Sequence, residues 1–136
     1  MKPVEILLVE DNAGDAVLMR QVMGESKIPV KLHIARDGEQ ALNILSDGAF
    51  RPDLIILDLN LPRIPGSVVL ERFKSENIPI VVFSSSWNDA EIENALKLGA
   101  REFIQKPTDI QEFIDAVCGI IQKWGMPNEN GAASAG

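Results

Sequence analysis

Apolar residues in this chain gather in short unbroken runs, each stopped by a polar or turn-forming group, and between the runs they recur at helical spacing. The central run, Leu54-Ile55-Ile56-Leu57, ends on Asp58 and then on Pro62. Aliphatic residues without polar alternation suit a strand covered on both faces, as in a parallel sheet between two layers of helices. Because Leu59-Asn60-Leu61-Pro62 cannot prolong a central strand, Asp58 is expected at its carboxyl end, where open α/β sheets place their ligand sites.

The rest of the chain repeats the pattern. Val4 to Val9 predicts a first strand, stopped by Glu10-Asp11-Asn12. Asn12 with Asp15 resembles a capping box with a shorter acid, and Ala16, Met19, Val22 and Met23 follow at helical spacing up to Gly24. Lys31 to Ala35 alternates as a strand, and Asp37-Gly38 turns into a helix with Ala41, Leu42, Ile44 and Leu45 on one side, ending near Gly48. Beyond the central strand, Pro62 to Gly66 forms a loop, and a short helix on Val69, Leu70 and Phe73 reaches about Asn77. Pro79 to Phe83 is the next buried strand and runs into Ser84-Ser85-Ser86-Trp87. Asn88 and Asp89 are cap candidates for a helix bearing Ile92, Ala95 and Leu96 and closing at Gly99. Arg101 to Ile104 reads as a fifth strand, followed by Gln105-Lys106-Pro107. Thr108 or Asp109 opens the last helix, in which Ile110, Phe113, Ile114, Val117, Ile121 and Trp124 keep the i, i+3, i+4, i+7 rhythm.

Five strand-helix pairs in strict alternation predict an α/β fold: one doubly wound, five-stranded parallel sheet with helices on both faces. The folded domain is expected over residues 1–124, with 125–136, small, polar and without periodicity, as a flexible tail. At 136 residues and 46% apolar content the chain suits one domain with a real core. A formal charge of -7 argues against a nucleic-acid partner, which needs a concentrated basic surface. The single cysteine, Cys118, allows no internal disulfide, and no apolar stretch approaches the roughly 18 residues of a membrane span. The expectation is a cytoplasmic protein that neither crosses nor anchors in a membrane. His33, distant from the acidic strand ends, and Cys118, on an apolar helix, read as structural; Trp87 is assigned to packing on the adjacent helix.

Under this topology Glu10, Asp11, Asp58, Ser84 and Lys106 share one end of the sheet. Carboxylates in one crevice repel unless a cation or protons intervene. Oxygen-only donors, with no histidine or cysteine nearby, favour a hard ion, and a loose set of this size suits Mg2+, with Asp11 and Asp58 as direct ligands. A hydroxyl from Ser84 and an ammonium from Lys106 complete what a phosphoryl group on Asp58 needs. A role for Asp58 as mere strand terminator would leave a costly carboxylate behind four buried aliphatics. For Glu10 and Asp11 the competing role is helix capping.

Leu8-Val9-Glu10-Asp11-Asn12, Asp58-Leu59-Asn60-Leu61-Pro62 with Gly66, Ser84-Ser85 and Lys106-Pro107 resemble, in order, the motifs of bacterial two-component response-regulator receiver domains. The resemblance spans about residues 4 to 124. It implies a flavodoxin-like receiver fold and a signalling phosphoacceptor in which Asp58 takes a phosphoryl group from a histidine kinase or phosphotransfer protein. It also implies that Glu10, Asp11, Asp58 and the backbone carbonyl of Asn60 hold magnesium, that Ser84 and Lys106 contact the phosphoryl oxygens, and that Phe103 is the switch aromatic. The output surface would be the fourth helix, fifth strand and last helix. Glu10-Asp11-Asn12 with Asp15, Leu57 to Arg63, and Lys106 to Trp124 look closest to small stand-alone receivers associated with bacterial phytochrome kinases, which implies a homodimer through the last helices and strand. Against this stand a small magnesium-dependent phosphatase with an aspartyl intermediate, weakened because Asp58-Leu59-Asn60 lacks a second acid two residues on, and a phosphate-independent binding module on the same fold.

Overall fold

The five apolar runs become the five strands of a single sheet. The computed structural model describes residues 2–48, 50–85 and 88–125. The chain runs β1 (Val4–Val9), α1 (Ala13–Gly24), β2 (Val30–Ala35), α2 (Gly38–Ser46), β3 (Leu54–Leu57), α3 (Gly66–Phe73), a 3-10 turn (Lys74–Glu76), β4 (Ile80–Ser84), α4 (Asp89–Lys97), β5 (Glu102–Gln105) and α5 (Ile110–Trp124). Every pairing is parallel and the strand order is β2-β1-β3-β4-β5. The expected doubly wound α/β fold is therefore present. The order reverses at β1, so the crevice of the topological switch opens between the carboxyl ends of β1 and β3.

Alternation along each strand divides its aliphatics between two cores. Ile6, Leu8, Leu54, Ile56, Val81 and Phe83 face Met19 and Met23 of α1 and Phe113, Val117 and Ile121 of α5. Leu7, Val9, Ile55, Leu57, Ile80 and Val82 face Ala41 of α2, Val69, Leu70 and Phe73 of α3, and Ala95 of α4. This two-sided burial is why the strands read as continuous apolar runs.

Four helices begin on a side chain that accepts a backbone N–H three residues on. Asn12 accepts from Asp15 at 2.9 Å, Asp37 from Gln40 at 2.8 Å, Asn88 from Glu91 at 2.8 Å and Asp109 from Glu112 at 2.9 Å. Of the alternatives left open by the sequence, Asn88 and Asp109 are thus the caps. The third helix stops at Phe73, and its 3-10 extension ends on Asn77 in the left-handed conformation at φ 60°.

Several packing expectations need correction. Ile110 matches the apolar rhythm but, as the first residue of α5, is 67% exposed. Leu96 is likewise 47% exposed, leaving Ala95 as the buried residue of α4. Cys118 is half-buried, not enclosed. Gly125 does not begin a tail: it caps α5, its N–H donating to the Ile121 carbonyl at 2.8 Å. The expected tail from residue 126 onward and the expected packing of Trp87 fall outside the described residues. His33 does take a structural place, with Nε2 2.9 Å from Glu5 Oε1 and its ring 4.2 Å from that of Phe50. Among the described residues, no helix is long and apolar enough to cross a membrane.

Gly66 is fixed by close approach. A Cβ on Gly66 would stand 2.6 Å from the Asp58 carbonyl oxygen and 2.7 Å from Leu59 Cα, both backbone atoms that cannot swing away. Gly119, in the middle of α5, has nothing within 4 Å of an added Cβ. In urea unfolding, Gly66→Ala should lose about 1–3 kcal/mol through overpacking against the Asp58 loop. Gly119→Ala should gain about 0.5–1 kcal/mol from helix propensity alone. Equal and small effects at both positions would contradict the tight packing of the Asp58 loop on α3.

Candidate functional site

Strands β1, β3, β4 and β5 finish at one rim, and each leaves a polar residue at or just past its end. The sheet's hydrogen bonding continues into those residues. Glu10 N–H donates to the Ala35 carbonyl at 2.9 Å, Asp58 N–H to the Val9 carbonyl at 3.0 Å, and Lys106 N–H to the Ser84 carbonyl at 2.9 Å. Their backbones are thus held by rigid strands and not by loops. Among the described residues, the buried polar or charged ones are these four: Glu10, Asp58, Ser84 and Lys106.

Their side chains form one network. The Lys106 ammonium lies 2.6 Å from Glu10 Oε1, 2.9 Å from Asp15 Oδ2 and 2.9 Å from Asp58 Oδ2, one carboxylate for each of its three hydrogens. The other Asp58 oxygen, Oδ1, accepts from the Asn60 backbone N–H at 2.9 Å and from Ser84 Oγ at 3.0 Å. The Asn60 amide donates to Ser84 Oγ at 3.4 Å. Glu10 Oε2 accepts from Asn12 N–H at 3.1 Å. Among the described residues no buried side-chain nitrogen or oxygen lacks a partner.

The network has more negative than positive charge: Glu10, Asp11, Asp15 and Asp58 face a single ammonium. Burial pushes the Glu10 carboxyl up to about 7, against the pull of Lys106 and with a further push from the Asp58 charge. For Lys106, burial acts to lower the pKa, but hydrogen bonds to Glu10, Asp15 and Asp58 outweigh it and leave the ammonium more firmly protonated than usual. Glu10, Asp11 and Asp58 each offer a carboxylate oxygen within 4.8 Å of the others, with Asp11 exposed at the mouth. An all-oxygen set of this spacing fits a hard divalent cation, which would offset the excess charge.

All five residues expected at the sheet's end are brought to it. Ser84, Lys106 and Glu10 join Asp58 in direct or shared hydrogen bonds, and Asp11 stands beside them. Asn60 enters through its backbone N–H and side-chain amide. Phe103 lies on β5, half-buried against the α2–α4 side of the sheet. One expectation about local structure is corrected: Asp15 is not the returning half of a capping box. Its carboxylate is taken by Lys106, and Asn12 N–H turns to Glu10 instead. The usable signal was its place one turn before the fully buried Met19, on the helix that directly follows an acid-terminated strand.

Known proteins are similar to this chain over most of its length. The family model of the response regulator receiver domain matches residues 6–118. Response regulator Rcp1 of Synechocystis sp. is 34% identical over 131 residues, covering 90% of this chain and 89% of that protein. Sporulation initiation phosphotransferase F of Bacillus subtilis is 35% identical over 115 residues, covering 83% of this chain and 90% of that protein. The crystal structure of the phosphorylated cyanobacterial phytochrome response regulator RcpA has a TM-score of 0.86 at 36% identity, covering 90% of this chain and 94% of its own. The Mn(2+)-bound form of Rcp1 has a TM-score of 0.85 at 34% identity, over 90% of this chain and 95% of its own.

The Glu10 shift makes stability depend on pH in a stated direction. Its folded pKa is raised, so the native state holds more protons than the unfolded chain between its ordinary value, 4.5, and about 7. The associated stability is present below that window and is lost as pH rises through the upper value. Urea unfolding in the presence of a chelator should therefore show stability falling on the order of a few kcal/mol between about pH 5 and 8. A millimolar divalent cation should remove most of that slope, because a cation within the Glu10, Asp11 and Asp58 cluster would favour the ionised carboxylate. A flat profile in chelator would contradict the burial of Glu10 as a strained acid.

Proposed function

The chain belongs to the response-regulator receiver family of two-component systems and is a signalling phosphoacceptor, and from that premise we propose how its residues divide the work. Asp58 receives the phosphoryl group. Glu10, Asp11, Asp58 and the Asn60 carbonyl hold Mg2+, and Ser84 and Lys106 bind the phosphoryl oxygens. The observation that carries this reading is that Asp58 belongs to the one buried polar network among the described residues, with a hydroxyl and an ammonium already in hydrogen-bond contact with it.

In the transfer, an Asp58 carboxylate oxygen bonds to phosphorus while the bond from phosphorus to the donor's leaving atom breaks, and Asp58 ends as a mixed anhydride. Magnesium held by those residues would supply charge neutralisation for the incoming phosphoryl group. The protein's own part is electrostatic. The Asn60 N–H and Ser84 hydroxyl hold one Asp58 oxygen in place, and the Lys106 ammonium stands against the other. A phosphoryl group brings nearly two negative charges and three acceptor oxygens. Ser84 and Lys106 then turn from the carboxylate toward it, and Phe103, next along the sheet from Val82 in register, follows Ser84 as the switch. The consequence reaches the surface of α4, β5 and α5.

The donor is a histidine kinase or phosphotransfer protein. Likeness to RcpA, a cyanobacterial phytochrome response regulator, supports a phytochrome-type kinase, and the homodimer through the last helices and strand is what the resemblance to stand-alone receivers of that kind implies. The chain acts in the cytoplasm and catalyses nothing beyond its own phosphorylation and dephosphorylation. The phosphatase alternative is disfavoured: position 60 is an asparagine, where a second acid would be required.

Acetyl phosphate with magnesium should add one phosphoryl group to the chain by intact mass, and Asp58→Asn should add none. Equal labelling of the variant would sink the assignment. Size-exclusion with light scattering should show a shift toward dimer on adding beryllofluoride and magnesium, and an unchanged monomer would remove the dimer from the reading.

A further inference from the structure

The receiver reading gives Lys106 a phosphoryl group to bind, yet in this structure all three of its ammonium hydrogens are taken. Glu10 and Asp58 belong to the cluster that suits a cation. Asp15 does not: its carboxylate reaches Lys106 from the first turn of α1, outside the set of Glu10, Asp11 and Asp58. Its own backbone N–H is fixed by the Asn12 cap at 2.9 Å, so the carboxylate is delivered from an anchored turn. Its side chain is 30% exposed, whereas Lys106 and Glu10 are enclosed.

We infer that Asp15 is a positioning residue acting through Lys106: a standing counter-ion that competes with the phosphoryl group for the ammonium and so holds down the phosphorylated arrangement. The inference rests on the receiver reading and adds to it a residue that sets the balance between the two states. When an anion arrives on Asp58, the Asp58 oxygen loses its charge and its claim on Lys106 weakens. A divalent cation draws Glu10 in the same way. Asp15 is the carboxylate left holding Lys106, so the anion must share the ammonium with it.

Two effects of removing the Asp15 charge oppose each other. Lys106 would lose one point of attachment, which loosens it, but it remains enclosed between Glu10 and Asp58, so little side-chain freedom is regained. The ammonium would also be freed from a competing charge, and the like charge facing the incoming anion would vanish. The second effect is the larger, and the sign is therefore tighter anion binding.

The test is an equilibrium titration of the full chain with beryllofluoride at saturating magnesium, followed by the amide shifts of Asn60 and Lys106. Relative to wild type, Asp15→Asn should lower the midpoint by about two- to fivefold, the upper part of the range for one part-exposed ion pair. Asp15→Glu, which keeps the charge, should stay within about twofold, in line with a charge effect and not a packing one. In a Lys106→Met background Asp15→Asn should change the midpoint little, since the two act as a unit. An unchanged or raised midpoint for Asp15→Asn, or the same fold-change without Lys106, would overturn the inference. Wild type that binds no beryllofluoride would overturn the receiver reading of Asp58 along with it, whereas normal wild-type binding with an indifferent Asp15→Asn overturns the Asp15 role alone.

Discussion

A single ammonium shared by three carboxylates is the constraint on which the site depends. Glu10 and Asp58 are almost wholly enclosed, and an isolated buried carboxylate is costly enough to prefer protonation. Lys106 lowers that cost by standing within hydrogen-bond distance of both. Part of the mutual repulsion expected to call for a metal is therefore already met by the protein itself, which explains how four acids can be folded into one rim. What remains unmet is also informative. Four acids meet one ammonium, so the pocket is short of positive charge even with Lys106 in place, and burial pushes Glu10 toward holding a proton at neutral pH. A site with that deficit attracts cations, and once a cation is bound it becomes receptive to an anion.

The sheet makes the arrangement possible. Lys106 and Glu10 are 96 positions apart in the chain, and Lys106 and Asp58 are 48 apart. They meet because parallel strands all end on the same side and because ladder hydrogen bonds carry the order one residue past the last strand position. Much of the pocket was accordingly legible in the sequence. An unbroken apolar run marks a two-sided strand, so the first polar residue after it marks the rim; this rule alone finds Glu10, Asp58, Ser84 and the neighbourhood of Lys106. The strand order came only with the structure, which also chose Asn88 and Asp109 among the cap candidates that the sequence had left open.

What was not legible shares one cause. Asp15 was assigned a local partner, Asn12, when its carboxylate goes to a residue on the far side of the chain; local rules describe the backbone N–H, which does bond Asn12, but not the side chain. Ile110 failed for a related reason: periodicity reports direction around a helix, but not whether a neighbour exists at that height along it, and at the opening residue of α5 the side chain stays 67% exposed although Phe113 is buried. Half-burial of Phe103 is a property of the edge position of β5, which no count of apolar residues conveys.

The first turn of α1 shows why the acids tolerate one another beyond what Lys106 provides. Residues Glu10 to Asp15 form both the end of a strand and the start of a helix, so the amino end of α1, with its unpaired N–H groups, points into the same rim. Asn12 serves both: its side chain caps the helix through Asp15, while its N–H steadies the free oxygen of Glu10. The helix end contributes partial positive charge where Asp11 and Asp15 carry negative charge. Removing the cap would therefore loosen the helix and also release two of the acids from their positions. Capping and pocket geometry are here held by shared hydrogen bonds: every residue from 10 to 15 with a polar side chain belongs to the acidic cluster, the Lys106 network or the helix cap.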